Sequence, residues 1–226
     1  MNERTLLSVA FGLLFSLLQA QQTAVFTDAH QAFREAEQFY EQNLFGQAHE
    51  AYRQTIRLTE PAHEPEFTTL RKFAELGVAK CAIRLNLPDG EKNILDFIRT
   101  YRPDPLANQA LIEVANYFFD DKQYDKAVEY LSQVPTYELS QEKRAEVRYK
   151  MGYAFFVQKK FREAKNNFNE IRNTPGDYFF PANYYYGLCE FFLGNYDSAI
   201  KAFRVAERYR RYQPHIPYYI AQIYFA

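Results

Sequence analysis

The sequence predicts an all-α fold made of repeated antiparallel helix hairpins, and three observations lead to this prediction. A pattern of small and aromatic residues occurs twice, because Gly152 and Phe168 are followed 35 residues later by Gly187 and Phe203. Apolar residues recur at helical spacing through most of the chain. Prolines separate these stretches, since proline cannot continue a helix. One hairpin cannot bury its own apolar face, so consecutive hairpins are expected to stack on one another.

Each copy of the pattern contains a large residue before glycine, then an aromatic, a small residue and a second aromatic at fixed offsets. Small residues let two helix axes approach closely, and the rings fill the space beside the crossing. The pattern resembles the tetratricopeptide repeat (TPR), whose period is about 34 residues. The resemblance covers residues 27–226, most clearly from 108 onward, and implies a right-handed superhelical solenoid. The residues expected to pack the repeats are Gly77, Ala115, Ala127, Gly152, Ala164, Phe168, Gly187, Ala199 and Phe203.

The first two hairpins match the pattern less closely. The first is predicted as helices near residues 27–42 and 45–59, with Ala36 at the glycine position. The second begins with a helix over 66–86 that contains Gly77, and a turn at Pro88 leads to a helix over 91–101. Repeats are therefore expected near residues 29–61 and 66–102.

The remaining repeats are expected near residues 108–140, 145–176, 180–213 and 214–226. Ala115 and Ala127 mark the third repeat, and Ser140 is placed to cap the first helix of the fourth. The last helix of the fifth repeat is expected to continue to Tyr212. Only the first helix of a sixth repeat lies within the sequence, so further repeats are expected beyond Ala226.

The N-terminus predicts a secretory signal peptide over residues 1–20. Arg4 precedes an apolar run over residues 6–18, and the small residue Ala20 follows. The run is short for a transmembrane helix, although an uncleaved anchor is the alternative. With this segment, the chain resembles TPR proteins of the Gram-negative cell envelope. That resemblance implies export to the periplasm or the outer-membrane periphery, with membrane association only through partners.

Several classes of function are disfavoured. The net charge of −1 gives no electrostatic basis for binding nucleic acid. The four histidines lack the spacing of a metal site, and no phosphate-binding or nucleophile motif occurs. We therefore expect no enzyme activity, metal or cofactor. Cys81 and Cys189 are expected to be small buried apolar residues rather than a disulfide.

The concave face of the repeats is the candidate functional site, and its partner is expected to be a protein or peptide. In TPR proteins, this face is lined by residues on the first helix of each hairpin. In this sequence those positions are Ile112, Asn116, Phe119, Tyr149, Tyr153, Phe156, Tyr184, Leu188, Phe191, Tyr218 and Gln222. The main hypothesis is an interaction scaffold that binds its partner in this groove. The alternative is a structural N-terminal module or accessory subunit of a larger secretion or outer-membrane assembly machine, whose groove is covered by downstream repeats.

A basic run, Arg204, Arg208, Arg210 and Arg211, allows two interpretations. Cations at the C-terminal end of a long helix stabilise its dipole, and this is the favoured interpretation. The alternative is a patch that binds an acidic partner.

Overall fold

The computed structural model describes residues 26–62 and 64–225. These residues form helices joined by short turns, and no β-strand occurs among them. The predicted all-α fold class is therefore confirmed. Within the same ranges, each helix is too short or too polar to cross a lipid bilayer. The expected signal peptide lies outside the described residues.

The helices alternate with short connections. Ser140 caps α7, as predicted, because its hydroxyl accepts a hydrogen bond from the backbone N–H of Lys143 at 3.3 Å. A short 3₁₀ turn at Thr136–Glu138 precedes this cap. Helix α1 covers residues 26–41, and the later helices are α2 (Phe45–Thr59), α3 (Pro65–Arg84), α4 (Gly90–Tyr101), α5 (Pro105–Asp120), α6 (Tyr124–Leu131), α7 (Gln141–Val157), α8 (Phe161–Ile171), α9 (Phe179–Phe192), α10 (Tyr196–Ala206) and α11 (Ile216–Phe225).

The chain divides into two compact units, Met1–Ala110 and Leu111–Ala226, which we call unit 1 and unit 2. In unit 1, α2 packs against α3 and α3 packs against α4. In unit 2, each helix from α6 to α11 packs against the next. Each unit is thus a run of helices stacked in chain order, which is the packing expected of repeated hairpins.

The turns inside the hairpins share one backbone feature. Asn43, Asn86, Lys122, Lys159 and Gly194 each lie between the two helices of a hairpin and have φ between 52° and 78°. Glycine and asparagine adopt this left-handed conformation readily, whereas lysine does so at some cost. The chain therefore reverses in the same way in each of these turns.

Glycines of the repeat lie under buried aromatic rings. A Cβ atom on Gly152 would lie 2.8 Å from the Phe168 ring, and one on Gly187 would lie 2.7 Å from the Phe203 ring. Both rings are fully buried. In unit 1, Gly77 faces Tyr52 of the preceding hairpin. Only hydrogen fits at these glycines without displacement of a ring. The alanines at the other packing positions, Ala115, Ala127, Ala164 and Ala199, are also fully buried.

The two cysteines are buried and unpaired. Burial raises the pKa of the Cys81 and Cys189 thiols to about 12. Both therefore stay protonated near neutral pH and fill space in the cores of their units. The expectation that they act as small apolar residues rather than as a disulfide is confirmed.

The prediction that α10 continues to Tyr212 is wrong, because the helix ends at Ala206 and residues 207–215 form turns. Two aromatic stacks explain the early end. The Tyr209 ring stacks on Phe180 with centroids 5.3 Å apart, and the Tyr212 ring stacks on Tyr184 at 4.3 Å. These contacts hold the segment against α9, so the arginines after Arg204 lie in a loop rather than on a helix.

Candidate functional site

Unit 2 contains a continuous group of half-buried aromatic rings, which lie on the first helix of each hairpin. Helix α5 contributes one ring, α7 contributes three and α9 contributes three. We call this group the aromatic strip: Phe119, Tyr149, Tyr153, Phe156, Tyr184, Tyr185 and Phe192. All are partly accessible to solvent, and Phe192 is 51% exposed.

The strip is continuous because the rings contact one another across neighbouring helices. Tyr153 of α7 lies 5.6 Å from Phe119 and 5.3 Å from Tyr185, measured between ring centroids. Phe156 lies 5.2 Å from Tyr185 and 6.3 Å from Phe192. Edge-to-face and offset pairs at these distances stabilise ring positions, so the strip is a pre-organised surface.

Tyr185 contacts four other rings of the strip. It contacts Tyr149 at 6.0 Å and Tyr184 at 5.3 Å, in addition to Tyr153 and Phe156. Burial, together with the neighbouring hydroxyls of Tyr153 and Tyr212, raises the pKa of Tyr185 well above its usual range. The Tyr185 phenol is thus protonated at neutral pH and can both donate and accept a hydrogen bond.

Tyr184 extends the strip toward the end of the unit. Its ring lies 6.4 Å from the buried Phe203 and stacks on Tyr212. Burial and the hydroxyl of Tyr219 raise the pKa of Tyr184 to about 12. Much of this side chain therefore belongs to the packing between α9, α10 and α11.

A polar network borders the strip on the α5 and α7 side. The Lys150 ammonium donates to Asn116 Oδ1 at 2.7 Å and to Glu146 at 2.8 Å, and Lys143 lies 2.9 Å from the same carboxylate. Burial raises the pKa of Glu146, but the hydrogen bonds from Lys150 and Lys143 outweigh burial and hold the pKa below its usual range. The side-chain oxygen of Asn116, a predicted groove residue, therefore already accepts a hydrogen bond from Lys150.

The predicted groove positions differ in exposure, and the structure divides them into buried, half-buried and exposed residues. Ile112 and Leu188 are 8% and 4% exposed and face the interior, which corrects their assignment to an open surface. Leu188 lies on α9, which packs against both α8 and α10. Phe191 is half-buried against Tyr219, with centroids 5.4 Å apart. Tyr218 and Gln222 are exposed on α11, where the Gln222 amide donates to the Tyr218 hydroxyl at 2.9 Å.

Two rings of the strip, and one buried ring that stacks on it, were missed by the sequence interpretation. Tyr185 and Phe192 each lie one residue after a predicted groove position, and a single helical face was assigned to α9. The consecutive aromatics from 184 to 186 were the signal that two faces of this helix carry rings. Tyr212 was missed because it was placed on a continuation of α10.

The strip offers apolar area and phenol hydroxyls, and it contains no charged nucleophile. Across residues 26–62 and 64–225, no group of three or more His, Cys, Asp and Glu side chains could hold a metal ion. Apolar area combined with phenol hydroxyls is suited to binding a partner.

Comparison with known proteins agrees with this fold. The sequence model of the tetratricopeptide repeat matches residues 149–214. No curated protein sequence matches the chain significantly.

Several solved structures share the fold at low sequence identity. The MamA protein is 17% identical, with 83% of this chain and 94% of MamA aligned and a TM-score of 0.58. PilF of Pseudomonas aeruginosa is 14% identical, with 82% and 78% aligned and a TM-score of 0.57. YrrB, described as a TPR protein with an unusual peptide-binding site, is 16% identical, with 80% and 86% aligned and a TM-score of 0.55.

The TPR fold is generally a non-catalytic interaction fold, which suggests a protein–protein interaction scaffold. The matched segment contains α8, α9 and α10, together with most of α7 and of the aromatic strip. The tetratricopeptide repeat is recognised over residues 149–214, and the described residues share the fold of solved tetratricopeptide-repeat structures such as YrrB.

Proposed function

We propose that the protein is an interaction scaffold whose aromatic strip binds an extended or helical peptide segment of a protein partner. One observation carries the proposal. Rings from three consecutive first helices form one continuous surface while each remains partly exposed. The rings of Phe168 and Phe203, by contrast, are fully buried.

The aromatic composition of the strip supports a role in binding a peptide. Tyrosine offers a large contact area and a hydroxyl at low entropic cost, because only two side-chain torsions become ordered. Binding hot spots are enriched in such residues and lie where neighbouring side chains exclude water. Contiguous exposed aromatic surface is uncommon on proteins without a partner.

We predict that Phe192→Ser weakens peptide binding by about tenfold or more, because Phe192 is the most exposed ring of the strip. A display library of random short peptides, selected on the wild-type protein, supplies the probe. The affinity of the selected peptide is then measured for each variant by fluorescence anisotropy.

Tyr137→Ser is the matched control. Tyr137 is 80% exposed in the turn before α7 and is not part of the strip. Both variants should keep the melting temperature of the wild type to within a few degrees. Equal affinity of the selected peptide for all three proteins would contradict the proposal.

A structural role in a larger assembly is the second candidate, and the exposed rings on α11 favour it. Tyr218, Tyr224 and Phe225 are 63%, 73% and 93% exposed. In that case the strip and α11 would pack against additional helices instead of a peptide. The display selection separates the two roles, since a packing surface would enrich no peptide that is sensitive to Phe192→Ser.

We further propose that the protein works in the cell envelope of a Gram-negative bacterium, associated with the membrane only through its partners. The charged start, the apolar run over residues 6–18 and Ala20 support this proposal. The expected result is a mature protein that begins at or near Gln21, as determined by N-terminal sequencing of an envelope fraction. An intact Met1 on protein recovered from the cytoplasm would overturn it.

A further inference from the structure

Unit 1 contains a cavity of about 280 Å³ that is separate from the aromatic strip. Residues of three helices line it, namely α1, α3 and α5. Two of its lining residues are buried, so the cavity reaches in between the helices rather than lying flat on their surface. The residues that line it are Phe33 and Glu37 of α1, Phe73, Leu76, Gly77 and Lys80 of α3, and Gln109 of α5.

Two aromatic rings form one side of this cavity. The Phe33 and Phe73 rings meet across α1 and α3, with centroids 6.4 Å apart and ring planes at 64°. Phe33 also packs on the fully buried ring of Tyr52 at 5.8 Å, which fixes its position. Phe73 is 41% exposed although it is a large apolar side chain. The cavity therefore offers accessible aromatic surface on a rigid support.

A carboxylate lies next to these rings. Glu37 follows Phe33 by one helical turn, so the two side chains share one face of α1. The Tyr52 hydroxyl donates a hydrogen bond to Glu37 Oε1. Among the described residues, no donor bonds to the second oxygen, Glu37 Oε2. The carboxylate is thus held in place by one partner and keeps an oxygen available for a ligand.

The charge around the cavity favours a cation. Residues 26–41, which form α1, contain four carboxylates and one arginine. Two of these carboxylates, Glu37 and Glu41, are exposed and lie one turn apart. Lys80 is the cation that lines the cavity, and its ammonium lies 4.2 Å from the centroid of the Tyr40 ring, which it engages as a cation–π partner. The single charge of Lys80 does not cancel the negative charge of α1.

We propose that this cavity is a second binding site, which takes an arginine side chain of a peptide partner. A guanidinium is planar and always charged, so it can stack on an aromatic ring and pair with a carboxylate at the same time. Charge-assisted hydrogen bonds to Glu37 are the stronger class. The exposed Gln109 amide supplies a further oxygen acceptor from α5. The site is independent of the aromatic strip and of the proposed function.

A neighbouring cavity indicates that the ligand is a peptide rather than a free small molecule. This cavity of about 520 Å³ shares Phe73 with the first and lies toward the N-terminal ends of α1 and α3. Phe26, Pro65 and Leu70 give it an apolar lining. Phe26 is supported there by the Phe67 ring at 5.5 Å. A peptide with an apolar side chain close to its arginine could fill both cavities.

The test begins with a display library of nine-residue peptides that carry a fixed central arginine between randomised residues. Selection on the Phe192→Ser protein disfavours peptides that depend on the aromatic strip. The selected peptide is then made with citrulline or glutamate in place of arginine, and fluorescence anisotropy gives the affinities for the wild-type protein. We expect a loss of about five- to tenfold for citrulline, which keeps the shape without the charge, and a larger loss for glutamate. Added salt should weaken the preference for arginine.

Glu37→Gln keeps an oxygen for the Tyr52 hydroxyl and removes the charge. It should lower the affinity of the arginine peptide to about that of the citrulline peptide, and leave the affinity of the citrulline peptide unchanged. Glu35→Gln is the matched control, because it removes the same charge from an exposed position of α1 that does not line the cavity. The control should leave both affinities unchanged.

Phe73→Ala should weaken binding of both peptides by about tenfold, because the ring lines both cavities. Leu87→Ala is its control, since Leu87 is also 41% exposed and lines neither cavity. Melting temperatures within a few degrees of the wild type show that the variants are folded.

Four outcomes would overturn the inference: failure of the library to yield a binder, a glutamate peptide that binds as tightly as the arginine peptide, equal effects of Glu37→Gln and Glu35→Gln, or unchanged binding to Phe73→Ala. The peptide selected for the aromatic strip should bind Phe73→Ala as it binds the wild type. Each site can therefore fail its own test without affecting the result for the other.

Discussion

Replacing Phe203 by alanine is expected to lower the free energy of unfolding of unit 2 by about 3–5 kcal/mol. Phe203 is fully buried, and its ring stacks on Tyr219 of α11 at 5.6 Å while covering Gly187 of α9. Truncation would leave a cavity that three helices share. Since each helix is also packed on other neighbours, the cavity cannot collapse without loss of those contacts.

Urea denaturation followed by circular dichroism measures this loss. Phe192→Ala is the matched control, because the same ring is removed from a position that is 51% exposed. A loss for Phe203→Ala no larger than that of the control would mean that this ring does not hold the hairpin together.

Gly187→Leu is expected to destabilise unit 2 by about 1–3 kcal/mol, through overpacking rather than a cavity. Even a Cβ atom at this position would lie 2.7 Å from the Phe203 ring, and that ring is enclosed on its other sides. The same change at Gly46 is the control, because a Cβ there has nothing within 4 Å. Thermal unfolding should show a lower melting temperature than wild type for Gly187→Leu and an unchanged melting temperature for Gly46→Leu.

The double variant Gly187→Leu, Phe203→Ala sharpens the comparison. The leucine would occupy space that the missing ring leaves, so the combined loss should be smaller than the sum of the two single losses. Simple additivity would contradict a direct contact between these two positions.

The helical fold could be predicted because its causes are local in the sequence. Gly152 and Gly187 each act within their own hairpin, and the prolines between helices and the turn at Pro88 act on the residues next to them. Ser140 is a similar case, because a cap needs only the three residues that follow it. Such features are readable without knowledge of the neighbouring hairpins.

The details of the site could not be predicted in the same way. Tyr212 and Tyr209 stack on residues about thirty positions earlier in the chain, and these contacts end α10 at Ala206. Helical periodicity carries no information about such a contact, so Arg211 was placed on a helix. Tyr185 was missed for a related reason, since its partners Tyr153 and Phe156 lie on a different helix, α7.

The proposed function requires that the aromatic strip, and not another face of the repeats, binds the partner. Chemical-shift mapping of the wild-type protein, titrated with the peptide selected from the display library, tests it most directly. We expect the largest changes at the tyrosines of α7 and α9, namely Tyr149, Tyr153, Tyr184 and Tyr185, and at Phe192. Changes confined to α8 and α10, with none at these residues, would contradict the claim.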